Sequence, residues 1–592
     1  MARHLITSAL PYINGVKHLG NLVGSMLPSD VYARYLRAGG HEVLFVCATD
    51  EHGTPAELAA LDAGQPVAEY CADQHEVQRA LGERFELSFD WFGRTSRPQN
   101  HELTNHFARR LRAVGFCEIR STEQVFSLDD GRFLPDRYVV GTCPNCGYER
   151  ARGDQCENCG KQLDPTDLID PRSAVSGSDR LEIRSSSHVF LLQSKLAERI
   201  RAWVDTKTDW PSLTRSIAYK WLDEGLGDRG ITRDLDWGIP VDPVDFPEVE
   251  GKVWYVWFDA PIGYLAATRE WADAAAGSGE GGDAQAAFDR WWREDRGADD
   301  VTYTEFMGKD NVPFHTLSFP ATILGSGEPW KLVDRLKSFN WLTYYGGKFS
   351  TSDHRGVFMS DALELLPADY WRWYLMANAP ESDDSSFTWE LFGSAVNKEL
   401  VGTFGNFVNR TVTQVERHFG PVVPEGGEPE QVEVELFERV AARLTEYTGH
   451  LDDLEFRKAA AALRALWAEG NVYLETREPW KSIKTDRERT ACTLRTALQL
   501  VVVAAIASEP FVPAAARTLR AAFPTVDWQG LRLDAGLARP DLVAPGAEIA
   551  PPGLLFQKLP QEQLDEWEAR FDGSVQAGSS TAGSSTGDGE PS

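Results

Sequence analysis

The stretch HLITSALPYINGVKHLGN, residues 4–21, decides the fold class of this chain. It begins as a β-prone run and leads through a turn towards residues 29–40, which have helical spacing and end in a glycine pair. Residues 41–53, HEVLFVCATDEHG, then read as a buried apolar strand that ends in charge. Strand, helix and strand in this order predict a right-handed parallel βαβ unit, with ligands at the carboxyl ends of the strands. Pro28 lies inside the helical region, so we expect a break or kink near it.

The turn between the first strand and its helix carries residues that suit phosphate. His18, Gly20 and Asn21 would lie at a helix N-terminus, where backbone amides and the helix dipole favour negative charge. Gly20 would also let a nucleotide lie flat against the backbone. An ordinary strand–helix turn is the alternative, and this motif alone does not separate the two.

Two charged residues follow predicted strands, and a lysine stands in a glycine-rich loop. Asp50 in CATDEHGT and Asp310 in GKDN fall where a ligand at the switch point of the sheet would lie. Lys348 lies in GGKFSTSDHRGVF, residues 346–358, which is unsuited to helix or strand because of its glycine pair and hydroxyl residues. Taken singly, these residues read as caps or as a surface loop. Together with His18, they predict a site for a nucleotide and an amine.

Four cysteines form a tight cluster with the spacing C-x2-C-x9-C-x2-C: Cys143, Cys146, Cys156 and Cys159. Two residues between each pair let both sulfurs face one ion, and four thiolates suit tetrahedral zinc. Because all four positions are filled by sulfur, the predicted zinc is structural. Coincidence or two redox pairs are the alternatives. A metal site rather than a disulfide framework indicates a reducing compartment, so we expect a cytoplasmic protein.

Length and charge limit the class of protein. With 592 residues the chain is too long for one core, so we expect two to four domains. A formal net charge of -29 repels nucleic acid unless basic residues cluster locally. We find no secretory signal at the N-terminus. The most apolar later stretch, residues 497–512, contains Gln499 and Glu509 and reads as a buried helix rather than a membrane span.

The middle of the chain changes in character. Residues 118–230 suggest an insertion with its own small core, because cysteines, polar turns and isolated helices dominate there. Apolar, β-like runs return at 251–265 and 301–315. Between them, the low-complexity stretch 273–287 is predicted to be a surface loop.

After about residue 390 the apolar spacing is helical, which predicts an α-helical bundle. Residues 422–435, VVPEGGEPEQVEVE, form an acidic connection inside it. The tail from residue 573, rich in Gly, Ser and Thr, is predicted to be disordered because it cannot bury enough apolar surface to fold alone.

Taken together, these motifs resemble a class I aminoacyl-tRNA synthetase, and within that class the methionyl-tRNA synthetase family. The similarity rests on an HLGN-type motif after the first strand, a downstream KFSTS, the four cysteines and the helical C-terminal half. More specific segments occur in the family order: SALPYINGVKHLGN, CATDEHGT, VWFDAPIGY, GKDNVPFH and NVYLETREPW. The resemblance covers roughly residues 3–530.

The resemblance implies an α/β fold with a Rossmann-type, doubly wound parallel sheet as catalytic core, a zinc-knuckle insertion and a following α-helical bundle that binds the anticodon. The implied domains are the first half of the Rossmann catalytic domain at 1–117, the connective insertion with the zinc knuckle at 118–230, the second half of the catalytic domain at 231–335, a linking domain with the KFSTS loop at 336–390, the helical anticodon-binding domain at 391–555, and a C-terminal segment at 556–592.

The resemblance also assigns residues to the nucleotide end of the site. The implied ATP-binding residues are His18, Gly20, Asn21, Gly308, Asp310, Lys348 and Thr351. The implied catalytic residues are His18, Asn21, Arg233, Lys348 and Arg355. Arg233 matches a family arginine near the substrate carboxylate and the adenylate, with a surface salt bridge as the alternative.

The chain departs from the family pattern at two of these positions. Asn21 stands where many members carry a second histidine, so it can donate a hydrogen bond but cannot be cationic. Thr351 stands where most members carry a second lysine, and His354 and Arg355 follow it. Because arginine is always charged and can hold phosphate through two donors, we hypothesise that Lys348 and Arg355 together do what two lysines do elsewhere. A surface arginine that only keeps the loop soluble is the alternative.

For the amino acid, the resemblance places Asp50 on the methionine ammonium. The implied methionine-binding residues are Ala9, Leu10, Tyr12, Asp50, Trp257, Ala260, Pro261, Tyr264 and His315. The implied anticodon readers are Asn406, Arg410 and Trp480, with helix packing as the alternative for Trp480.

The implied partners are ATP with Mg²⁺, L-methionine, and both initiator and elongator tRNA(Met). We expect a monomer that binds no membrane and holds one structural Zn²⁺ per chain. A synthetase for leucine, isoleucine or valine is the alternative within the class, although the much larger insertion of those enzymes is absent. A non-catalytic tRNA-binding relative is the alternative outside it.

Overall fold

The computed structural model describes residues 2–153, 156, 158, 159, 161, 163–278, 282–349 and 355–571. Within these residues, the fold is built on a five-stranded sheet in which every neighbouring pair is parallel. Across the sheet the strands run in the order Arg335–Phe339, Val301–Gly308, Arg3–Ser8, Glu42–Thr49 and Trp91–Arg94. The first strand of the chain thus lies between the second and the fourth, which confirms the predicted doubly wound α/β fold and puts its switch point beside Ser8 and Gly308.

The two faces of this sheet belong to two hydrophobic cores, because successive side chains of a strand point to opposite faces. Ile6 and Phe45 pack into the larger core, together with the first crossover helix and the C-terminal helices. Leu5 and Leu44 pack into the other, under the helices Pro98–Val114 and Val256–Gly277. The sheet is therefore covered on both sides, as a parallel sheet requires.

The helix after the first strand changes geometry just before Pro28. Leu19–Asn21 is α-helical, Leu22–Met26 is π-helical and Leu27–Ala38 is α-helical again. Because Pro28 lacks an N–H, the regular ladder of backbone hydrogen bonds cannot run through it. The predicted irregularity is thus a π-helical segment rather than a break.

The β-like prediction for 251–265 was wrong. Only Val253–Trp254 is extended, and Val256–Gly277 forms one helix with Pro261 inside it. Most side chains in its first half are buried, so apolar residues occupy all its faces and hide the helical period.

The surface-loop prediction for 273–287 was wrong at both ends of the segment. The preceding helix continues to Gly277, and the next one, Ala284–Trp292, begins within the predicted loop. Alanines are strong helix formers and account for the helical ends. Residues 279–281 lie outside the described residues.

Along the chain, the strands of the central sheet are interrupted between Trp91–Arg94 and Val301–Gly308. This part of the chain forms a long antiparallel ribbon of Cys117–Ser127 and Leu181–Leu191, extended by Arg132–Phe133 and Arg229–Gly230. A small sheet next to it comprises Ala151–Arg152, Val139–Thr142 and Ile169–Ser173. This sheet and the cysteine cluster share a small core of their own, as predicted for the insertion. The helices Ala197–Asp205 and Ser212–Glu224 instead pack into the core of the central sheet.

Beyond the central sheet, Leu342–Tyr344 pairs with Gly347–Lys348 and Ser385–Phe387, and the helices Met359–Leu365 and Ala368–Ala377 pack nearby. The chain then becomes helical, as predicted. The principal helical segments are Trp389–Ala395, Val396–Gly405 (π-helical), Asn406–Phe419, Gln431–Asp452, Phe456–Arg477, Pro479–Ser482, Arg487–Ala507, Pro513–Ala522 and Gln561–Phe571. The tail that was predicted to be disordered, from residue 573, lies outside the described residues.

One helix of the described chain, Arg487–Ala507, is long and apolar enough to cross a membrane, but 94% of its most apolar window is buried inside the protein. It packs in the large core, as predicted for a buried helix.

A fully buried arginine joins the helical region to the central sheet. Arg372 donates to the Asp30 carboxylate at 2.7 Å, and to the backbone carbonyls of Phe85 at 3.1 Å, Pro510 at 2.8 Å and Phe511 at 3.1 Å. Its partners come from the first crossover helix, from the end of helix Val67–Arg84 and from the segment after Arg487–Ala507. One guanidinium thus holds three parts of the fold together.

Candidate active site

A cavity of about 440 Å³ opens at the switch point of the sheet. Fifteen of the residues predicted for the nucleotide and amino-acid sites line it: Ala9, Leu10, Tyr12, His18, Gly20, Asn21, Asp50, Trp257, Ala260, Pro261, Tyr264, Gly308, Asp310, His315 and Lys348. These residues come from the ends of three strands, from helix Val256–Gly277 and from the hairpin that carries Lys348. The chain order of a doubly wound sheet brings them together.

The HLGN turn is held by reciprocal hydrogen bonds. His18 Nδ1 accepts from the Asn21 backbone N–H at 3.2 Å, and Asn21 Oδ1 accepts from the His18 N–H at 3.2 Å. Burial, and then the charge of Lys17, lower the pKa of His18 to about 3, so the ring is neutral at pH 7. Because Nδ1 accepts, its proton is on Nε2, which is left to donate. A Cβ on Gly20 would meet the His18 ring at 3.0 Å, so this turn needs glycine.

Asp50 forms the deep polar end of the cavity. Its side chain is only 3% exposed, and its Oδ1 has no hydrogen-bond partner among the described residues. Burial, and then repulsion from Asp259, raise its pKa well above the usual value. An unpaired buried carboxylate is unfavourable, so this position favours a cationic ligand.

An apolar wall lies beside Asp50. Trp257 stacks on Phe314 with ring centroids 3.8 Å apart, and the edge of Tyr12 faces Trp257. Tyr264 O–H donates to His315 Nε2 at 2.8 Å, while His315 Nδ1 donates to the Asn311 carbonyl at 2.9 Å. Burial lowers the pKa of His315 to about 4, so the imidazole is neutral and both its nitrogens are occupied.

The opposite end of the cavity carries Asp310 and Lys348 around one indole. Trp341 Nε1 donates to Asp310 Oδ2 at 2.8 Å, and Lys348 Nζ lies 4.6 Å from the centre of the Trp341 ring. Lys348 is exposed, and nothing would lie within 4 Å of a Cβ on Gly308. This end is open and polar, as a site for ribose and phosphates requires.

Two predicted residues of the described chain are not brought to this cavity. Arg233 pairs with Asp136 at 2.9 Å, and its guanidinium lies 3.6 Å from the centre of the Tyr255 ring, beside a separate pocket of about 220 Å³. Arg355 donates to the Tyr344 carbonyl at 3.0 Å, under the hairpin rather than in the cavity. Thr351 lies outside the described residues.

Sequence reasoning missed several residues of the lining, among them Asn14, Lys17, Ser25, Asn311, Asn340, Trp341 and Phe349. Phe349 stacks on the His18 ring at 4.8 Å. Lys17 and Asn14 could have been found, because a lysine and an amide stand out among the apolar neighbours in the turn that was predicted to bind phosphate. Nothing in the sequence around Trp341 indicates a site, because this residue comes close to Asp310 only in the folded chain.

The four cysteines converge as predicted. All their Sγ atoms lie within 4.8 Å of one another, with Cys143 and Cys159 3.9 Å apart and Cys146 and Cys156 3.6 Å apart. Zn–S bonds of about 2.3 Å in a tetrahedron place sulfurs about 3.8 Å apart. The cluster therefore fits a tetrahedral metal ion.

The predicted anticodon readers share one surface of the helical region. The Arg410 guanidinium lies 5.1 Å from the centre of the Trp480 ring and donates to Glu475 at 2.7 Å. Asn406 is exposed next to them and donates to Asn471 at 3.1 Å. Trp480 is half-buried against the core, so one part of the indole packs and another faces outward.

The strand order of the sheet, the cavity at its switch point and the HLGN turn are together the features of a class I aminoacyl-tRNA synthetase. The comparisons with known proteins agree: residues 4–412 match the family described as tRNA synthetases class I (M), and residues 423–576 match the anticodon binding domain of methionyl tRNA ligase. The chain belongs to the methionine–tRNA ligase family.

Curated relatives and solved structures support this assignment. The chain is 59% identical over 578 residues to a methionine–tRNA ligase of Caulobacter vibrioides, and 58% identical over 578 residues to one of Streptomyces avermitilis. Each match covers 97% of this chain and 100% of the relative. A crystal structure of Mycobacterium tuberculosis methionyl-tRNA synthetase bound by methionyl-adenylate has the same fold, with a TM-score of 0.74 at 24% identity over 94% of this chain and 100% of that chain.

Proposed function

We propose that the chain activates L-methionine with ATP to methionyl-adenylate and transfers the methionyl group to the terminal ribose of tRNA(Met), initiator and elongator alike. One observation carries the proposal: the buried, unpaired Oδ1 of Asp50 lies at the deep end of a cavity whose other end is built for phosphate. A substrate that spans this cavity needs a cationic end, an apolar side chain and a partner with phosphates. A zwitterionic, apolar amino acid and ATP meet these requirements.

The arrangement orients the two substrates for one displacement. With its ammonium on Asp50, methionine turns its carboxylate towards His18, so a carboxylate oxygen can attack the α-phosphorus in line. The new O–P bond forms as the bond from the α-phosphorus to the bridging oxygen breaks, and pyrophosphate leaves with its electron pair. Neutral His18 donates from Nε2 to phosphate, and Lys348 places positive charge over it.

Mg²⁺ enters with ATP, bound by phosphate oxygens and water, and supplies charge to the departing pyrophosphate. Arg355 would join Lys348 only after leaving the Tyr344 carbonyl. Arg233 would reach the substrate carboxylate only after its pair with Asp136 rearranges. These movements of Arg355 and Arg233 would accompany substrate binding.

The amino-acid pocket selects by shape more than by hydrogen bonding. Tyr264 and His315 satisfy each other, and the Tyr264 oxygen also has a hydrogen bond with the Leu10 backbone, so this pair offers a ligand little further hydrogen bonding. The methionine thioether is itself only a weak acceptor. One methylene discriminates by only ~1–3 kcal/mol, so homocysteine should also be activated.

The four-cysteine cluster is proposed to hold one structural Zn²⁺. Cys143, Cys146, Cys156 and Cys159 would supply all four ligands, which leaves no open position for catalysis. The ion would stabilise the insertion and take no part in the reaction.

The anticodon surface is proposed to bind an unpaired base on Trp480, next to Arg410 and Asn406. Stacking of a base on an aromatic side chain is worth ~1–3 kcal/mol. The basic residues Lys481, Lys484, Arg487 and Arg489 follow Trp480 and would offset the net charge of -29 locally.

We further propose that the enzyme is a cytoplasmic monomer. Light scattering at about the chain mass of 65.9 kDa would support the monomer, and twice that mass would exclude it.

Methionine-dependent exchange of pyrophosphate into ATP tests the proposed function directly. Activity with methionine, weak activity with homocysteine and none with leucine, isoleucine or valine is expected. Preferred exchange with another apolar amino acid would assign a different synthetase. No exchange with any amino acid, at retained tRNA binding, would mean a non-catalytic relative.

A further inference from the structure

A buried lysine borders the cavity without an ionic partner. Lys17 is 6% exposed and precedes His18 in the HLGN turn. Its ammonium donates to Asn14 Oδ1 at 2.9 Å and forms no salt bridge with any residue that the structure describes. Burial lowers the pKa of Lys17 to about 7, against an opposing effect of Asp50. One hydrogen bond and the more distant charge of Asp50 thus offset only part of the cost of burying this amine.

The contact fixes how Asn14 is turned. Lys17 Nζ donates to the amide oxygen of Asn14, so that oxygen faces the lysine. The amide NH₂ therefore points the other way. Asn14 is half-buried and lines the cavity, and its NH₂ donates to no group in the described chain. Two unused N–H donors are available at the cavity wall.

These donors line the same cavity as Asp50 and His18. Asn14 and Lys17 belong to the turn that runs from Tyr12 to His18. Asp50 is bridged to Tyr12 at the start of this turn, and His18 ends it. The charge of Lys17 opposes the raised pKa of Asp50 and adds to the lowering of the pKa of His18, so Lys17 lies near both residues. Since Asp50 holds the ammonium and His18 the phosphates, the carboxylate and the α-phosphate come together between them.

We propose that Lys17 is a positioning residue for methionine activation: it holds the Asn14 amide so that its NH₂ donates to an α-phosphate oxygen as the carboxylate attacks, and it keeps a positive charge behind that donor. This rests on the proposed function. Bound phosphates would favour the charged form of Lys17, which adds a buried cation to the exposed, loop-borne Lys348. Donors held in place before the reaction need no reorganisation as charge develops.

Single-turnover formation of methionyl-adenylate, followed by rapid quench, tests the pair. Lys17→Met and Asn14→Ala should each slow the step by about 10- to 100-fold at saturating substrates, with KM for methionine within about threefold of the parent value. The double variant should be no slower than the slower single variant, because the two residues act as one unit.

Asn14→Asp distinguishes positioning from packing. Its carboxylate can still accept from Lys17, so a structural role is preserved, but it has no N–H to donate. It should therefore be as slow as Asn14→Ala. A parental rate for Asn14→Asp, or effects of the two single variants that multiply in the double variant, would overturn the inference.

Lys331→Met is the matched control. Lys331 is also 6% exposed, but it pairs with Asp334 at 3.0 Å and does not line the cavity. It should retain the parental rate of adenylate formation. If Lys17→Met does not fold, the two Asn14 variants still decide the matter. Parent protein without methionine-dependent exchange would refute the proposed function itself, whereas an active parent with a fast Asn14→Asp would refute only this inference.

Discussion

Replacing Asp50 by asparagine should remove the charge that binds the methionine ammonium while keeping the size of the side chain. Asp50 is 3% exposed, so solvent screens the ion pair little. Truncating one partner of a buried charge pair costs ~2–5 kcal/mol, and each ~1.4 kcal/mol is tenfold. We therefore expect kcat/KM for methionine in pyrophosphate exchange to fall by about 30- to 3,000-fold.

A substrate without the amino group makes the test specific. The 2-hydroxy analogue of methionine lacks the ammonium, so the parent enzyme should discriminate strongly against it. Asp50→Asn should lose most of that discrimination, because the charge that distinguishes the two substrates is gone. If the variant keeps the parental preference for methionine, Asp50 does not bind the ammonium.

Glu305→Gln serves as the control for a buried carboxyl group. Burial raises the pKa of Glu305 to about 8, so it is mostly neutral at pH 7, and it does not line the cavity. Its replacement by the neutral amide should leave kcat/KM within a few fold of the parent.

The raised pKa of Asp50 also predicts the direction in which pH changes the affinity for methionine. The ammonium of methionine favours the ionised carboxylate, so binding below the pKa of the empty site must release a proton. Methionine affinity should therefore fall as the pH is lowered. Calorimetry in buffers of different ionisation enthalpy should show proton release for the parent and none for Asp50→Asn; proton uptake by the parent would contradict the reasoning.

Three further predictions concern the metal, the anticodon and the loop. Cys146→Ser should lose zinc by metal analysis and destabilise the insertion, since three thiolates no longer close a tetrahedral site. Trp480→Ala should impair tRNA charging by about 5- to 150-fold but leave methionine activation nearly intact, because ~1–3 kcal/mol of base stacking is lost. Lys348→Ala should slow adenylate formation by roughly two to four orders of magnitude, an estimate scaled from the loss of one charge-stabilising donor, and Arg355→Ala should do likewise if the two act together.

Each of these has a matched comparison. Cys117→Ser lies outside the cluster and should retain zinc; full zinc in Cys146→Ser would refute the assignment. Trp528 is half-buried against the same core and also lies near an arginine, Arg520, so Trp528→Ala measures packing alone. Equal loss of activation and charging in Trp480→Ala would mean packing. A parental activation rate for Arg355→Ala, with Lys348→Ala impaired, would leave Lys348 as the one loop cation that matters.

The sequence predicts the parts of this site that depend on chain order. His18, Asp50 and Asp310 follow strands of a doubly wound sheet, and topology alone brings such positions to one edge. Helix Val256–Gly277 was missed because burial on all sides removes the periodicity that distinguishes a helix from a strand.

Pairings between distant residues lie beyond a single sequence. The salt bridge of Arg233 with Asp136 and the hydrogen bond of Trp341 to Asp310 depend on how the insertion and the hairpin pack. Lys17 and Asn14 are only three positions apart, but the functional interpretation of their contact depends on the burial of Lys17, which the sequence does not show.

The buried Arg372 connects the part of the fold that carries the proposed adenylate site with the part that carries the proposed anticodon surface. A swing of the helical region about the sheet would pull the guanidinium either from Asp30 and the Phe85 carbonyl or from the Pro510 and Phe511 carbonyls. Breaking the buried charge pair with Asp30 costs ~3–5 kcal/mol. The contacts of Arg372 thus oppose a movement of the helical region relative to the sheet. We therefore expect that the overall shape of a tRNA, as well as its anticodon, decides whether its acceptor end reaches the proposed active site.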